Sequence, residues 1–186
     1  MSIRYQIEKS LYLIKSDLYR YTGEISFKAF AVTYLREPGF NFMVWLRIRT
    51  AFKSKIVGYI LHTKRIKFGI DIQSLSIGEG FYIGHFGHIV VNSAAVIGKN
   101  CNISQGVTIG ISNTGSKKGV PVVGDYVYIG PGAKIMGNIK IGNRAAIGAN
   151  SVVVNDVPEN AVVVGVPARV VSNDGSTGYI NRVQDK

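Results

Sequence analysis

The stretch Val122-Val123-Gly124-Asp125-Tyr126-Val127-Tyr128-Ile129-Gly130-Pro131-Gly132-Ala133-Lys134-Ile135 decides the fold, because an aliphatic residue returns at every sixth position. Outward from it, the same spacing gives Ile141-Gly142, Ile147-Gly148 and Val153 on one side. On the other side stand Ile77-Gly78, Ile83-Gly84 and Ile89, then Ile97-Gly98, Ile103 and Ile109-Gly110. A fixed hexapeptide period predicts a parallel β-helix, in which each unit makes one short strand and one corner of a prism and three units make one coil. The aliphatic residue points inward and stacks on its equivalents in adjacent coils. The residue after it is expected at the tight corner, where glycine relieves backbone strain.

The phase slips twice. One slip falls between Ile89 and Ile97, the other between Ile109 and Val123. The second contains Ser112-Asn113-Thr114-Gly115-Ser116-Lys117-Lys118-Gly119, a polar and basic stretch expected to project as a loop. Repeat proteins commonly mount binding functions on such insertions.

Before residue 69 the texture is helical. Ile7, Leu11, Leu13, Ile14 and Leu18 recur at three- and four-residue intervals, as an amphipathic helix requires. Phe27 to Leu35 reads as a second, short helix ended by Pro38-Gly39. Phe42 to about Lys67 reads as a longer apolar segment, divided at Gly58. The expected organisation is mainly β: an α-helical part over 1–68, a parallel β-helix over 69–172 and a frayed polar tail over 173–186.

Of 22 Lys and Arg against 11 Asp and Glu, 13 and 4 fall within residues 1–70, so the basicity belongs to the helical part. Arg47, Arg49, Lys53, Lys55, Lys64, Arg65 and Lys67 interleave with bulky apolar residues there. That mixture suits peripheral contact with an anionic membrane surface, and equally suits packing onto the next domain. The Tyr and Phe residues do not alternate with cations in the manner of a nucleic-acid surface, so no nucleic acid is expected. A single cysteine excludes an intrachain disulfide framework and a cysteine-based zinc site, and fits a reducing compartment. Charges break every apolar run, so neither a signal peptide nor a membrane span is read. A cytoplasmic address is expected, with the inner membrane face as the peripheral site.

Three histidines can act as bases. His62 falls in the helical part and reads as a surface residue, whereas His85 and His88 share one coil, and the residues alone do not choose between them. Three segments carry a resemblance: Gly80-Phe81-Tyr82-Ile83-Gly84-His85 through Val91, Ile129 through Ile135, and Gly165-Val166-Pro167-Ala168-Arg169. Together with the hexapeptides from about Gly69 to Val171, they resemble the left-handed β-helix acyltransferases, most closely the serine acetyltransferase-like branch. The short helical part resembles more the small enzymes that acetylate bacterial surface polysaccharides.

The resemblance implies a homotrimer with its site between subunits, acetyl-CoA as co-substrate, no metal, and His85 as general base in direct acetyl transfer to a hydroxyl. It implies Asp71 as the carboxylate that orients His85, at a spacing one residue shorter than in serine acetyltransferases. It places Gly110, Pro131 and Ala149 along the pantetheine arm and Gly119 where the loop rejoins the prism. Lys117, Lys118 and Arg169 are the nearest phosphate partners, and His88 and Asn92 are candidate acceptor contacts. An alcohol needs its proton removed as it attacks a thioester, and histidine suits that task because its pKa lies near operating pH.

Two departures bear on the acceptor. The acidic residue before the catalytic histidine of serine acetyltransferases is Gly84 here, and a second histidine is Val120 before Pro121. An amino acid needs charged partners for its ammonium and carboxylate. A carbohydrate acceptor in surface-polysaccharide assembly is therefore expected, with serine as the alternative. A zinc carbonic anhydrase on the same fold needs three histidine ligands, and only two lie in the repeats. His85 together with the basic loop argues against a non-catalytic scaffold. Cys101, two residues before an inward Ile103, is expected to pack rather than to react.

Overall fold

The computed structural model describes residues 2–184. Helix α1 (Ile3–Thr22) starts where the Ser2 side chain accepts from the Tyr5 amide and stops at Gly23 in the left-handed conformation. Ser26 caps α2 (Phe27–Arg36) in the same way. Pro38 does not end a helix. It opens α3 (Pro38–Ala51), because its missing N–H costs nothing in a first turn. The next break falls at Phe52 to Ser54 rather than at Gly58, since Ser54 supplies the cap for α4 (Lys55–Phe68) and Gly58 lies inside it. Ile14, Leu18, Ala29, Phe40 and Val44 form the core among the first three helices.

The prism follows. In chain order its strands are β1 (Ile70–Ile72), β2 (Tyr82–Ile83), β3 (Ile89–Val91), β4 (Val96–Ile97), β5 (Asn102–Ile103), β6 (Thr108–Gly110), β7 (Val122–Val123) and β8 (Tyr128–Ile129). Then come β9 (Lys134–Met136), β10 (Lys140–Ile141), β11 (Ala146–Ile147), β12 (Val152–Val153), β13 (Val162–Gly165) and β14 (Ala168–Ser172). Parallel pairing collects them into three faces of a left-handed β-helix. The first is β1-β3-β6-β9-β12, the second β4-β7-β10, and the third β2-β5-β8-β11-β13 with β14 antiparallel at its end. Ile83, Ile103, Ile129, Ile147 and Val163 stack inward behind the third face, all buried.

Two details of the repeat differ from expectation. The left-handed residue is not the one after the aliphatic but the third after it: Asn100, Tyr126, Arg144, Asn150 and Asn160 all have φ between 54° and 59°. The glycine after the aliphatic serves coil stacking instead. A Cβ on Gly98 would stand 2.4 Å from the Gly124 carbonyl oxygen of the next coil.

The first phase slip also moves. Val91, not Ile89, pairs with Ile109, so the extra length lies between Ile83 and Val91. There the Gly87 carbonyl accepts from the Gly106 amide, just as Gln105 accepts from Gly132 and Pro131 from Asn150. Gly84, His85 and Phe86 separate Ile83 from Gly87, whereas Ser104 alone separates Ile103 from Gln105. The added pair forms an outward bulge at the edge where the third face turns into the first.

The expected frayed tail is a strap. Beyond β14 the chain runs back over the third face, where Tyr179 stacks on Tyr128 with ring centroids 4.1 Å apart. Ser176 is buried, donates to the Tyr126 carbonyl at 2.6 Å and takes the Arg144 carbonyl on its amide. Arg182 donates to the Tyr21 carbonyl, which ties the strap to α1. Polar composition suggested fraying, but these side chains and amides have partners on the coils. Residues 185 and 186 of the expected tail lie outside the described residues.

Buried charge locks the helices to the first coil. Arg47, 1% exposed, clasps the Asp17 carboxylate at 2.9 and 3.1 Å and donates to the carbonyls of Ile77 and Gly78. Asp17 also accepts from the Phe81 amide. Arg20 donates to Gly80, Asn102 and Asn181. Every donor or acceptor of this kind left unpaired in the interior would be costly, so the network fixes one docking geometry.

Candidate active site

The bulge places His85 at the mouth of a cleft of about 440 Å³. Tyr82, Asn102 and Tyr128 form its floor, being successive outward residues of β2, β5 and β8 in register. Ser104, Gln105 and Pro131 form the edge beside His85. The imidazole is exposed.

Two anchors hold the bulge. Below it, Gly69 ends α4 in the left-handed conformation, its carbonyl accepts from the Ile89 amide at 3.0 Å, and a Cβ there would press to 3.1 Å on the His88 amide nitrogen. The Phe86 ring meets Phe68 of α4 edge-on, with centroids 6.3 Å apart. Behind it, β2 ends the third face, so the Ile83 amide and carbonyl lack a neighbouring strand on that side. The Tyr21 hydroxyl serves both, donating to the Ile83 carbonyl and accepting from its amide, each at 3.1 Å. Burial pushes the Tyr21 phenol well above its ordinary value, so it stays a neutral donor.

The other expected residues distribute as follows. His88 occupies the left-handed corner with φ 54°, outside the residues that line the cleft. Asn92 accepts from the Ala94 amide and shapes the next corner. Asp71 does not orient His85 within this chain. Its carboxylate pairs with Arg65 and accepts from Gln73, because the middle residue of β1 faces outward beside α4. Together with His62 it lines a separate hollow of about 160 Å³.

Pro131 borders the His85 cleft, and Ala149 follows on the same edge one coil further. Gly110 and Gly119 lie on the next edge, between the first and second faces. There a Cβ on Gly110 would meet the Met136 sulfur at 2.6 Å, and Gly119 pairs with Ser112 at the neck of the loop. Lys117 and Lys118 are exposed on that loop, with the Lys117 ammonium 3.9 Å from Asp156. Arg169 is exposed on β14. One prism thus carries His85 and the basic loop on different edges.

Cys101 is buried, donates to the Gly124 carbonyl, and has its thiol pushed up to about 12 by desolvation. A thiol so protonated is not a nucleophile near neutral pH.

Tyr82, Asn102, Ser104, Gln105, Tyr128 and Tyr21 were not singled out from the sequence. The first five were recoverable by writing the hexapeptides in register, since they flank Ile83, Ile103 and Ile129. Tyr21 had no such signal.

The bacterial transferase hexapeptide (six repeats) family matches residues 121–155. A solved serine acetyltransferase of Neisseria gonorrhoeae, in complex with serine, superposes with a TM-score of 0.73 at 31% identity, covering 91% of this chain and 72% of that one. The chain belongs to the hexapeptide-repeat acyltransferases. A serine acetyltransferase solved in complex with CoA gives a TM-score of 0.75 at 32% identity, over 91% of this chain and 72% of that one. The serine acetyltransferase of Synechococcus elongatus is 37% identical over 143 residues, which are 74% of this chain and 59% of that protein. The chain spans less than two thirds of the length of the curated relatives it matches.

These likenesses overturn the placement of this hexapeptide-repeat acyltransferase beside the polysaccharide O-acetyltransferases, and the carbohydrate acceptor falls with it. That expectation leaned on Gly84 and Val120. Two missing charges on one chain do not define a pocket whose other wall can come from a neighbouring copy.

Proposed function

We propose that the chain transfers acetyl from acetyl-CoA to the hydroxyl of serine, with His85 as general base. One observation carries the reading. The bulge between Ile83 and Gly87 presents His85 at a cleft of the third face, in a fold shared with serine acetyltransferases solved with serine and with CoA. The serine hydroxyl gives its proton to His85 as its oxygen attacks the thioester carbon. When the tetrahedral adduct collapses, the C–S bond breaks and the imidazolium protonates the CoA thiolate, a sequence worth roughly 10²–10⁴-fold in rate.

The split between edges supports a homotrimeric site. In that arrangement His85, Pro131 and Ala149 of one copy face Gly110, Gly119, Lys117 and Lys118 of the next. The lysines then lie where CoA phosphates need cations, with Arg169 as a further donor. Among the described residues no carboxylate of the same chain lines the cleft. The partner for the serine ammonium is therefore assigned to the neighbouring copy.

The test is thiol release from acetyl-CoA with L-serine as acceptor, with the product weighed by mass spectrometry. Serine-dependent release with formation of O-acetylserine is expected. Release that serine does not accelerate would remove the amino-acid acceptor.

A further inference from the structure

Helix α4 presents an apolar stripe to solvent. Ile56, Tyr59 and Ile66 are 71, 70 and 72% exposed, and at 3.6 residues per turn they fall with Thr63 on one side of the helix. The opposite side carries Leu61, buried against the first coil, and Phe68 packed beside it. Phe52, in the link before the helix, is 40% exposed as well.

Cations border it. Lys55 and Lys67 flank the stripe on its two sides, and Lys53 stands at its start, all exposed. No Asp or Glu occurs from Pro38 through Ile70, so nothing on α3 or α4 neutralises them. Of the other basic residues of the segment, Arg47 is held by Asp17, Arg65 by Asp71 and Arg49 by the Phe52 carbonyl, and Lys64 lies over the rings of Tyr34, Trp45 and Phe68; Lys67 stands 5.7 Å from the Phe68 ring centroid and is still exposed.

We propose that α4 docks this chain on an anionic lipid surface, with Ile56, Tyr59 and Ile66 entering the headgroup boundary and Lys53, Lys55 and Lys67 pairing with lipid phosphates. An apolar stripe rimmed by cations of one sign is complementary to a negatively charged bilayer. A second copy of this chain would bring an equally basic rim against it. Among the described residues no helix is long and apolar enough to cross a membrane, so attachment is by one face. The inference is independent of the acetyl-transfer reading, because α4 residues on this face do not line the His85 cleft.

Co-sedimentation of the full chain tests it, using phosphatidylcholine vesicles with and without phosphatidylglycerol. Binding is expected only with phosphatidylglycerol, and it weakens as salt rises. The combined Lys53→Glu, Lys55→Glu, Lys67→Glu variant keeps helix-favouring side chains and should bind at least about a hundredfold more weakly, since losing each cation alone is worth roughly fivefold. The Ile56→Ser, Tyr59→Ser, Ile66→Ser variant should lose at least about tenfold. Circular dichroism and thiol release report whether each variant is folded. Absence of binding to anionic vesicles at low salt overturns the proposal, as does equal binding by both folded variants. A smaller oligomer for the serine variant, with no lipid binding by the wild type, overturns it in favour of a contact between copies.

Discussion

Tyr21 shows how one side chain positions another that it does not touch. Its hydroxyl satisfies both backbone groups of Ile83, two residues before His85, and its ring packs on Tyr82 at 4.5 Å. Tyr21→Phe keeps the packing and strands an amide and a carbonyl, at a cost of about 1–3 kcal/mol for each buried group. The expected outcome is a lower melting temperature with a fall in kcat larger than the change in KM. An unchanged melting temperature would mean that water replaces the hydroxyl without cost. The sequence could not show this residue, because its role depends on β2 being the last strand of its face, which only the assembled coils reveal. His85 was reachable only through family likeness, since spacing treated it and His88 alike. The structure separates them physically: His88 takes the left-handed corner of the repeat, while His85 rides on the added pair of residues.

At the scale of elements, the hexapeptide period exposed the coils because inward aliphatic residues must stack, and a period-six pattern has few other solutions. The second helix was legible from Phe27, whereas Pro38 and Gly58 misled because either residue can end a helix or sit within one, and the start after Ser54 went unread. The strap was illegible for a different reason. Its apolar content is low, and its order comes from single contacts: Tyr179 on Tyr128, the Asn102 amide to the Tyr179 carbonyl at 2.8 Å, and Ser176 against Tyr126. Since Asn102 and Tyr128 also floor the cleft, the strap shapes the site. Truncation after Ser172 should lower the melting temperature by several degrees and raise the KM for the acceptor. Unaltered kinetics in a folded truncated chain would show that the strap is only a cover.

The whole molecule joins a basic helical part to a nearly neutral prism, and the two are fastened by Arg47, Asp17 and Arg20 rather than by a broad apolar interface alone. The consequence for chemistry is that α1 and α4 brace the bulge from two sides while its cleft stays open to a neighbouring copy. On the proposed function, this bulge holds one imidazole against an acyl donor. The most direct measurement is the serine-dependent rate of acetyl transfer by His85→Ala, with CoA affinity measured calorimetrically on the same preparation. The expected rate is at least about a hundredfold lower, with CoA binding and melting temperature preserved. A folded, CoA-binding His85→Ala variant that turns over at nearly the wild-type rate would contradict it.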